Sequence, residues 1–508
     1  MSEAPPATAG PGVVPPPPAA ATGPYAAEVS ASMLDQVAAL RRGDLSALEL
    51  TRTYLERIDA LDRHDTLNAF VLSRGQEALA DAARLDQLRA SGRPLGPLHG
   101  IPLAVKDNLF TAGTPTSNGT AVLDGFVPRH DAAAVRLLRA AGALVLGKTN
   151  LHECSFGITS NNPHHGAVRN PYDPSRIPGG SSGGSGAAVA ARLCSAAIGS
   201  DTGGSVRIPA ALCGVVGLKP TLGRVSRARM FGLSWTCDVV GPIARTVADA
   251  AALLRVLTSG PDPLDPGAEH EPAGAGIPTA LGEGAGALRG ARIGIPDGFL
   301  AADNAPDVDR VLARTHRVLE DAGATLVPVP LDGVEEATAQ GFVTVVPEAV
   351  VVTERALRTA GLDGGVRAHL DRFGPDVRAA LGAQVGPEPH PVPAFRYAEV
   401  LAGTLPALRR TFAEAFTTVD VLLTATTPAT AVPLTQDTTM RHNGRAVDTF
   451  ETFVRYTYGV SMAGLPAISL PAGTDAAGLP VGVQLVGPRW GEAALLRIAH
   501  ALETALGR

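Results

Sequence analysis

The chain is poor in aromatic residues. Phe, Trp and Tyr make up 4% of its 508 residues while 45% are hydrophobic, so a large core has to be built mainly from Ala, Val and Leu. It has only four cysteines, Cys154, Cys194, Cys213 and Cys237, spread without the spacing of a metal site or a disulfide framework. They read as reduced thiols, which points to the cytoplasm. Basic excess is missing too: a net charge of −6 leaves no electrostatic footprint for a nucleic acid. No apolar run approaches the ~20 residues of a membrane span. The opening MSEAPPATAG lacks the positive start and apolar stretch of a secretory signal. The expectation is a soluble, cytoplasmic protein with no nucleic-acid or membrane partner.

Glycine and proline are abundant, and their placement organises the chain. Residues 1–28 are Pro/Ala-rich and read as a disordered tail, because they cannot bury enough apolar surface to fold. Residues 29–508 read as one domain. Ser46 and Glu49 form a capping box ahead of Leu48, Leu55, Ile58 and Leu61 at helical spacing, and this helix could offer a face for a homodimer. Short apolar strands at 101–105, 144–147, 293–295, 325–329, 467–470 and 481–485 alternate with helical patterns, including one capped by Asp131. Such alternation predicts an α/β layered fold. Residues 260–290 read as a surface excursion, and 331–410 as a helical region covering a pocket.

The densest signal is residues 178–210, where two Gly/Ser clusters bracket an apolar segment. A flexible linker has this composition, but not with helix-like 187–193 inside it and apolar 208–218 after it. Gly179-Gly180-Ser181-Ser182-Gly183 matches the G-x-S-x-G nucleophile elbow in letters, yet a turn-rich loop precedes it where the elbow needs a strand. A phosphate loop is weaker still, because no Gly-Lys-Ser/Thr follows the glycines. In Asp201-Thr202-Gly203-Gly204-Ser205-Val206-Arg207, successive N–H groups can converge as an oxyanion hole beside the Ser205 hydroxyl. Asp201 and Arg207 are placed to close that loop by pairing. The ordinary alternative is that Ser205 caps a turn.

Lys106 ends an apolar strand. Burial lowers a lysine's pKa, and the neutral amine is a general base. Taken alone, a surface ion pair with Asp107 is the commoner outcome for such a residue. None of the 12 histidines stands in a metal-binding arrangement, and no metal or other cofactor is called for.

Lys106, the GGSSGGSG cluster and the DTGGSVRIPA segment together resemble the amidase signature family of serine hydrolases. The likeness extends through residues 212–221, 241–249, 463–466 and 478–484, and so over about residues 30–508. It implies the amidase signature fold, a large mixed twisted sheet covered on both faces by helices. It also implies a Ser-cisSer-Lys triad: Ser205 as acyl-forming nucleophile, Ser181 as bridging serine and Lys106 as base. Ser181 is preferred to Ser182 because it lies 24 positions before Ser205, the family's usual separation. The amides of Thr202, Gly203, Gly204 and Ser205 would hold the oxyanion. Such donors are worth on the order of 3 kcal/mol each.

The loop at 150–162 resembles indoleacetamide and mandelamide hydrolases and departs from the Met-Asp-Glu-Phe-Ala-Met-Gly usual in the A-type chain of tRNA-dependent amidotransferases. On that basis the expected activity is a free-standing amidase acting on aryl or arylalkyl amides, with anilides, esters or aryl carbamates also in range. Its expected partner is a small-molecule amide, with an acyl pocket of Phe156, Gly157, Ile158, Thr159, Phe231 and Trp235. The alternative is an amidotransferase A-type subunit working in a complex. An α/β-hydrolase esterase using Ser181 and a histidine ranks below both.

Overall fold

The computed structural model describes residues 26–258, 260–282 and 284–507. Most of the Pro/Ala-rich tail lies outside the described residues; its last part does not, since a helix already begins at Ala26 (Ala26–Ser30).

One mixed sheet of 11 strands runs through the molecule. In chain order its strands are β1 (Phe70–Ser73), β2 (Pro102–Lys106), β3 (Leu144–Thr149), β4 (Ala196–Asp201), β5 (Val216–Lys219), β6 (Val239–Ala244), β7 (Arg292–Pro296), β8 (Thr325–Val329), β9 (Val421–Ala425), β10 (Ala467–Thr474) and β11 (Pro480–Val486). They lie in the order β1-β3-β2-β4-β6-β5-β10-β11-β9-β7-β8. The β3-β2-β4 and β9-β7-β8 pairings are parallel and the remaining pairings antiparallel. Strands β2, β3, β4, β5, β6, β9 and β11 are buried along their whole length. This explains why β2, β3 and β11 read as continuous apolar runs rather than alternating ones. The fold is the α/β amidase signature architecture.

The capping box forms as expected: Ser46 Oγ accepts from the Glu49 N–H and Glu49 accepts from the Ser46 N–H, opening the helix Ala47–Leu61. That helix spends Leu50, Tyr54, Leu55 and Ile58 in the core, so its apolar stripe is not a free dimer face. Asp131 is not a cap. Ala132 takes that position, and the Asp131 carboxylate instead accepts from Ala112 N–H and pairs with Arg139. Among the described residues no helix is long and apolar enough to cross a membrane.

Two features set up the site. Strands β2 and β4 run parallel and adjacent, so Lys106 at the end of β2 and Ser200-Asp201 at the end of β4 emerge at the same edge. The helical region at 331–410 contains Val334–Gln340, Phe342–Thr359, Gly365–His369, Pro375–Val385 and Ala394–Glu399, and Phe342 and Val345 from it wall the pocket beside Ser205.

Candidate active site

Lys106 is fully buried, and its amine meets hydroxyls rather than a carboxylate. Nζ donates to Ser181 Oγ at 2.7 Å and to Ser200 Oγ at 3.0 Å. Burial pushes its pKa down to about 7, with the negative charges of Asp238 and Asp201 opposing part of that fall. The lysine therefore loses its proton near neutrality, the condition for a base. The surface pair with Asp107 does not form. Asp107 instead pairs with buried Lys148 at 3.1 Å and accepts from Ser117.

Ser181 follows a cis Gly180–Ser181 peptide in a loop fixed from several sides. Its carbonyl accepts from the His152 N–H at 3.1 Å and from Ser160 Oγ at 3.4 Å. Ser160 Oγ also donates to the Gly179 carbonyl and accepts from the Gly183 N–H. Gly183 opens the helix Gly183–Ala190, so the first Gly/Ser cluster is a strapped turn into a helix. Ser182 turns inward: its hydroxyl donates to the Ser200 carbonyl at 3.1 Å and its N–H to the Ser205 carbonyl at 3.1 Å.

The second cluster is wrapped around one carboxylate. Asp201 accepts from the Gly204 N–H at 2.8 Å and the Val206 N–H at 3.1 Å, and pairs with Arg207 at 2.9 Å, both side chains being fully buried. Burial alone would raise the Asp201 pKa, but Arg207 brings it down to about 2, so the carboxylate stays charged. Arg207 also donates to Gln484, the Thr457 carbonyl and Ser461 Oγ, which ties the loop to β11 and to the helix Tyr458–Met462. Gly204 has φ +130°, and a Cβ there would sit 2.4 Å from Thr457 Oγ1, so the position requires glycine. Because its N–H is engaged by Asp201, Gly204 is not an oxyanion donor as the sequence suggested. Thr202, Gly203 and Ser205 remain. Thr202 is held in turn by Asp238, which accepts its hydroxyl at 2.6 Å.

Ser205 lines a small pocket of about 50 Å³ together with Phe156, Gly157, Ile158, Leu233 and Tyr458. No charged side chain lines it. Thr159 stands behind this wall, its hydroxyl 3.3 Å from His152 Nδ1. Phe231 and Trp235 face elsewhere. The Phe231 ring packs on Phe110 at 4.6 Å, and both Phe231 and Trp235 line a second, larger groove. Ser200, which accepts from Lys106 and from Asn108 Nδ2 at 2.9 Å, and Ser160 are site residues that sequence reasoning missed. The only available signal was their nearness to the two clusters. Among the described residues no group of three or more His, Cys, Asp or Glu side chains is arranged to hold a metal ion.

Comparison with known proteins adds the family. The Amidase family model matches residues 49–496. The A-type chain of the glutamyl-tRNA(Gln) amidotransferase of Chloroflexus aurantiacus is 39% identical over 479 residues, covering 92% of this chain and 94% of that protein. The protein of the same name from Myxococcus xanthus is 38% identical over 497 residues, covering 93% and 96%. Among solved structures, the peptide amidase of Stenotrophomonas maltophilia superposes with a TM-score of 0.80 at 35% identity, covering 94% of this chain and 97% of that one. The A-type chain of the glutamyl-tRNA(Gln) amidotransferase of Thermotoga maritima gives 0.72 at 30% identity, covering 94% and 95%.

These matches overturn two expectations. A free-standing aryl or arylalkyl amidase was inferred from one loop at 150–162, whereas the curated relatives at 38–39% identity are named as subunits of an amidotransferase. The placement beside indoleacetamide and mandelamide hydrolases is not supported by them. Likewise the expectation of a small-molecule amide as the partner is at odds with relatives that are named as subunits of a larger enzyme. With its family model matched over residues 49–496, this chain is a member of the amidase family, enzymes acting on C–N bonds.

Proposed function

We propose that the chain is the amide-splitting, A-type subunit of an amidotransferase and works in a complex. Its end-to-end likeness to subunits of that name carries this reading. Four buried, unpaired cysteines suit a cytoplasmic setting.

In this reading Ser205 Oγ attacks the carboxamide carbon, its proton passes to Ser181 Oγ, and the Ser181 proton passes to the neutral amine of Lys106. The Lys106–Ser181 contact of 2.7 Å supports that relay. The N–H groups of Thr202, Gly203 and Ser205 hold the oxyanion. Collapse returns the proton through Ser181 to the nitrogen, the C–N bond breaks and ammonia leaves. Water then cleaves the Ser205 ester by the same route, and the ammonia passes to the partner.

The test uses amide-15N glutamine and asparagine as donors and the other subunits of the Chloroflexus aurantiacus enzyme as partners. The expected result is 15N transfer to glutamyl-tRNA(Gln), lost in Ser205→Ala but rescued by free ammonia. Absence of transfer, with full-rate cleavage of unrelated amides by the chain alone, would overturn the proposal.

A further inference from the structure

A second cavity lies on the other side of the 231–238 loop, an open groove of about 670 Å³. Its floor is apolar, with Phe110, Phe126 and Met230 beside Phe231. Its rim holds Arg129, Arg229 and Arg355, with His130 next to Arg129. None of these three guanidiniums has an ion-pair partner among the described residues. Arg227 in the same groove is neutralised by Asp265 at 3.0 Å. The other acid in the lining, Asp238, is buried and occupied by Thr202.

Exposed apolar surface gathers at the same place. Among the described residues six large hydrophobic side chains are exposed, and Val127 (46%), Trp235 (39%) and Leu264 (59%) line this groove. A rim of unpaired cations over an apolar floor is complementary to a chain segment that alternates acidic and apolar residues.

We propose that this groove docks an acidic, apolar-anchored segment of the partner polypeptide. The identity of that polypeptide as a partner subunit rests on the amidotransferase reading. Polypeptide is favoured over nucleic acid on three counts. The chain's net charge is −6, Val127 and Leu264 on the rim are aliphatic, and Trp235 and the imidazole of His130 are the only exposed rings in the lining for a base to stack on. The groove also touches the chemistry: Asp238 forms part of its wall and holds Thr202 of the oxyanion loop. An occupant would press directly on the loop that braces the site.

The experiment measures fluorescence anisotropy of three labelled probes on the full chain. They are a twelve-residue peptide alternating Glu with Leu or Phe, its Lys-for-Glu counterpart, and a twelve-nucleotide oligouridylate. The acidic peptide should bind and weaken at least tenfold in the triple variant R129E/R229E/R355E, while the other two probes stay unbound. Folding of the variant is verified by an unchanged melting temperature and an unchanged rate of donor-amide cleavage by the chain alone. Tighter binding of the oligouridylate, or acidic-peptide binding that the triple variant leaves intact, would overturn the proposal. No binding of the acidic peptide to the unaltered chain would overturn it too. The two readings fail separately. If 15N transfer fails but the triple variant still loses the acidic peptide, the amidotransferase reading falls and the groove stands. If transfer proceeds equally well with the triple variant, the groove falls and the amidotransferase reading stands.

Discussion

The pocket at Ser205 and the arginine groove are separated by a single loop, residues 231–238, yet they are built on opposite principles. The pocket is small and uncharged, and the polar groups that brace it are engaged: Lys106 by two serines, Asp201 by the Arg207 side chain and three backbone amides, Thr202 by Asp238. The groove is more than ten times larger, open, and rimmed by cations without partners. Preorganised dipoles in a dry site favour bond-breaking, because no reorganisation is needed as charge develops. Unpaired charge over exposed apolar surface favours recognition. The difference assigns chemistry to one face of the loop and binding to the other, with Asp238 common to both.

That division is broken most severely at Lys106. Lys106→Met should lower the rate of donor-amide cleavage by the chain alone by about 10³- to 10⁴-fold, measured as ammonia release at saturating donor. The unaltered chain should gain activity as pH rises through about 7 and then level off, because only the deprotonated amine accepts the relayed proton. Activity that falls across that range would break the assignment of Lys106 as base. Asp201→Asn comes next. It strands Arg207 as an uncompensated buried charge, which costs about 3–5 kcal/mol, read as a drop in the urea midpoint with an unchanged m-value.

Smaller effects sharpen the comparison. Ser200→Ala removes one of the two acceptors of the Lys106 ammonium while leaving Ser181 in place, so the acid limb of the pH–rate profile should move below pH 7. Losing a bond to the charged form makes that form less stable. Smallest of all, Leu264→Ser on the groove rim should leave ammonia release by the isolated chain within about twofold, since it touches none of the groups that hold Ser205. A large rate loss there would erase the distinction between the two faces.

Much of the pocket was legible in the sequence because its residues sit at strand ends and in glycine turns, where local pattern and geometry agree. Lys106 ends a buried run, and the two Gly/Ser clusters became a strapped turn and a carboxylate-centred loop. What local pattern could not supply is the meeting of distant segments. Ser200 became an acceptor for Lys106 only because β2 and β4 lie side by side. Gly204 looked like an oxyanion donor until Asp201, three residues earlier, was found to take its N–H. Phe231 and Trp235 lie close in sequence to pocket-lining Leu233, but the loop bends and turns between them, and these two face the groove. The alternation of strands and helices pointed to the α/β class, while Asp131 illustrates a cap-like residue recruited by a tertiary partner, Arg139. The substrate class was not legible because the thirteen residues of one loop resemble amide hydrolases, whereas the curated relatives that match over more than nine-tenths of the chain are named as amidotransferase subunits.

In the proposed relay Ser205, served by Ser181 and Lys106, carries the acyl group. Intact-mass measurement after reaction with a fluorophosphonate tests it most directly. One covalent adduct is expected on the unaltered chain and none on Ser205→Ala. Slow labelling of Lys106→Met and full labelling of every His→Ala variant are expected as well. An adduct that persists on Ser205→Ala would contradict it.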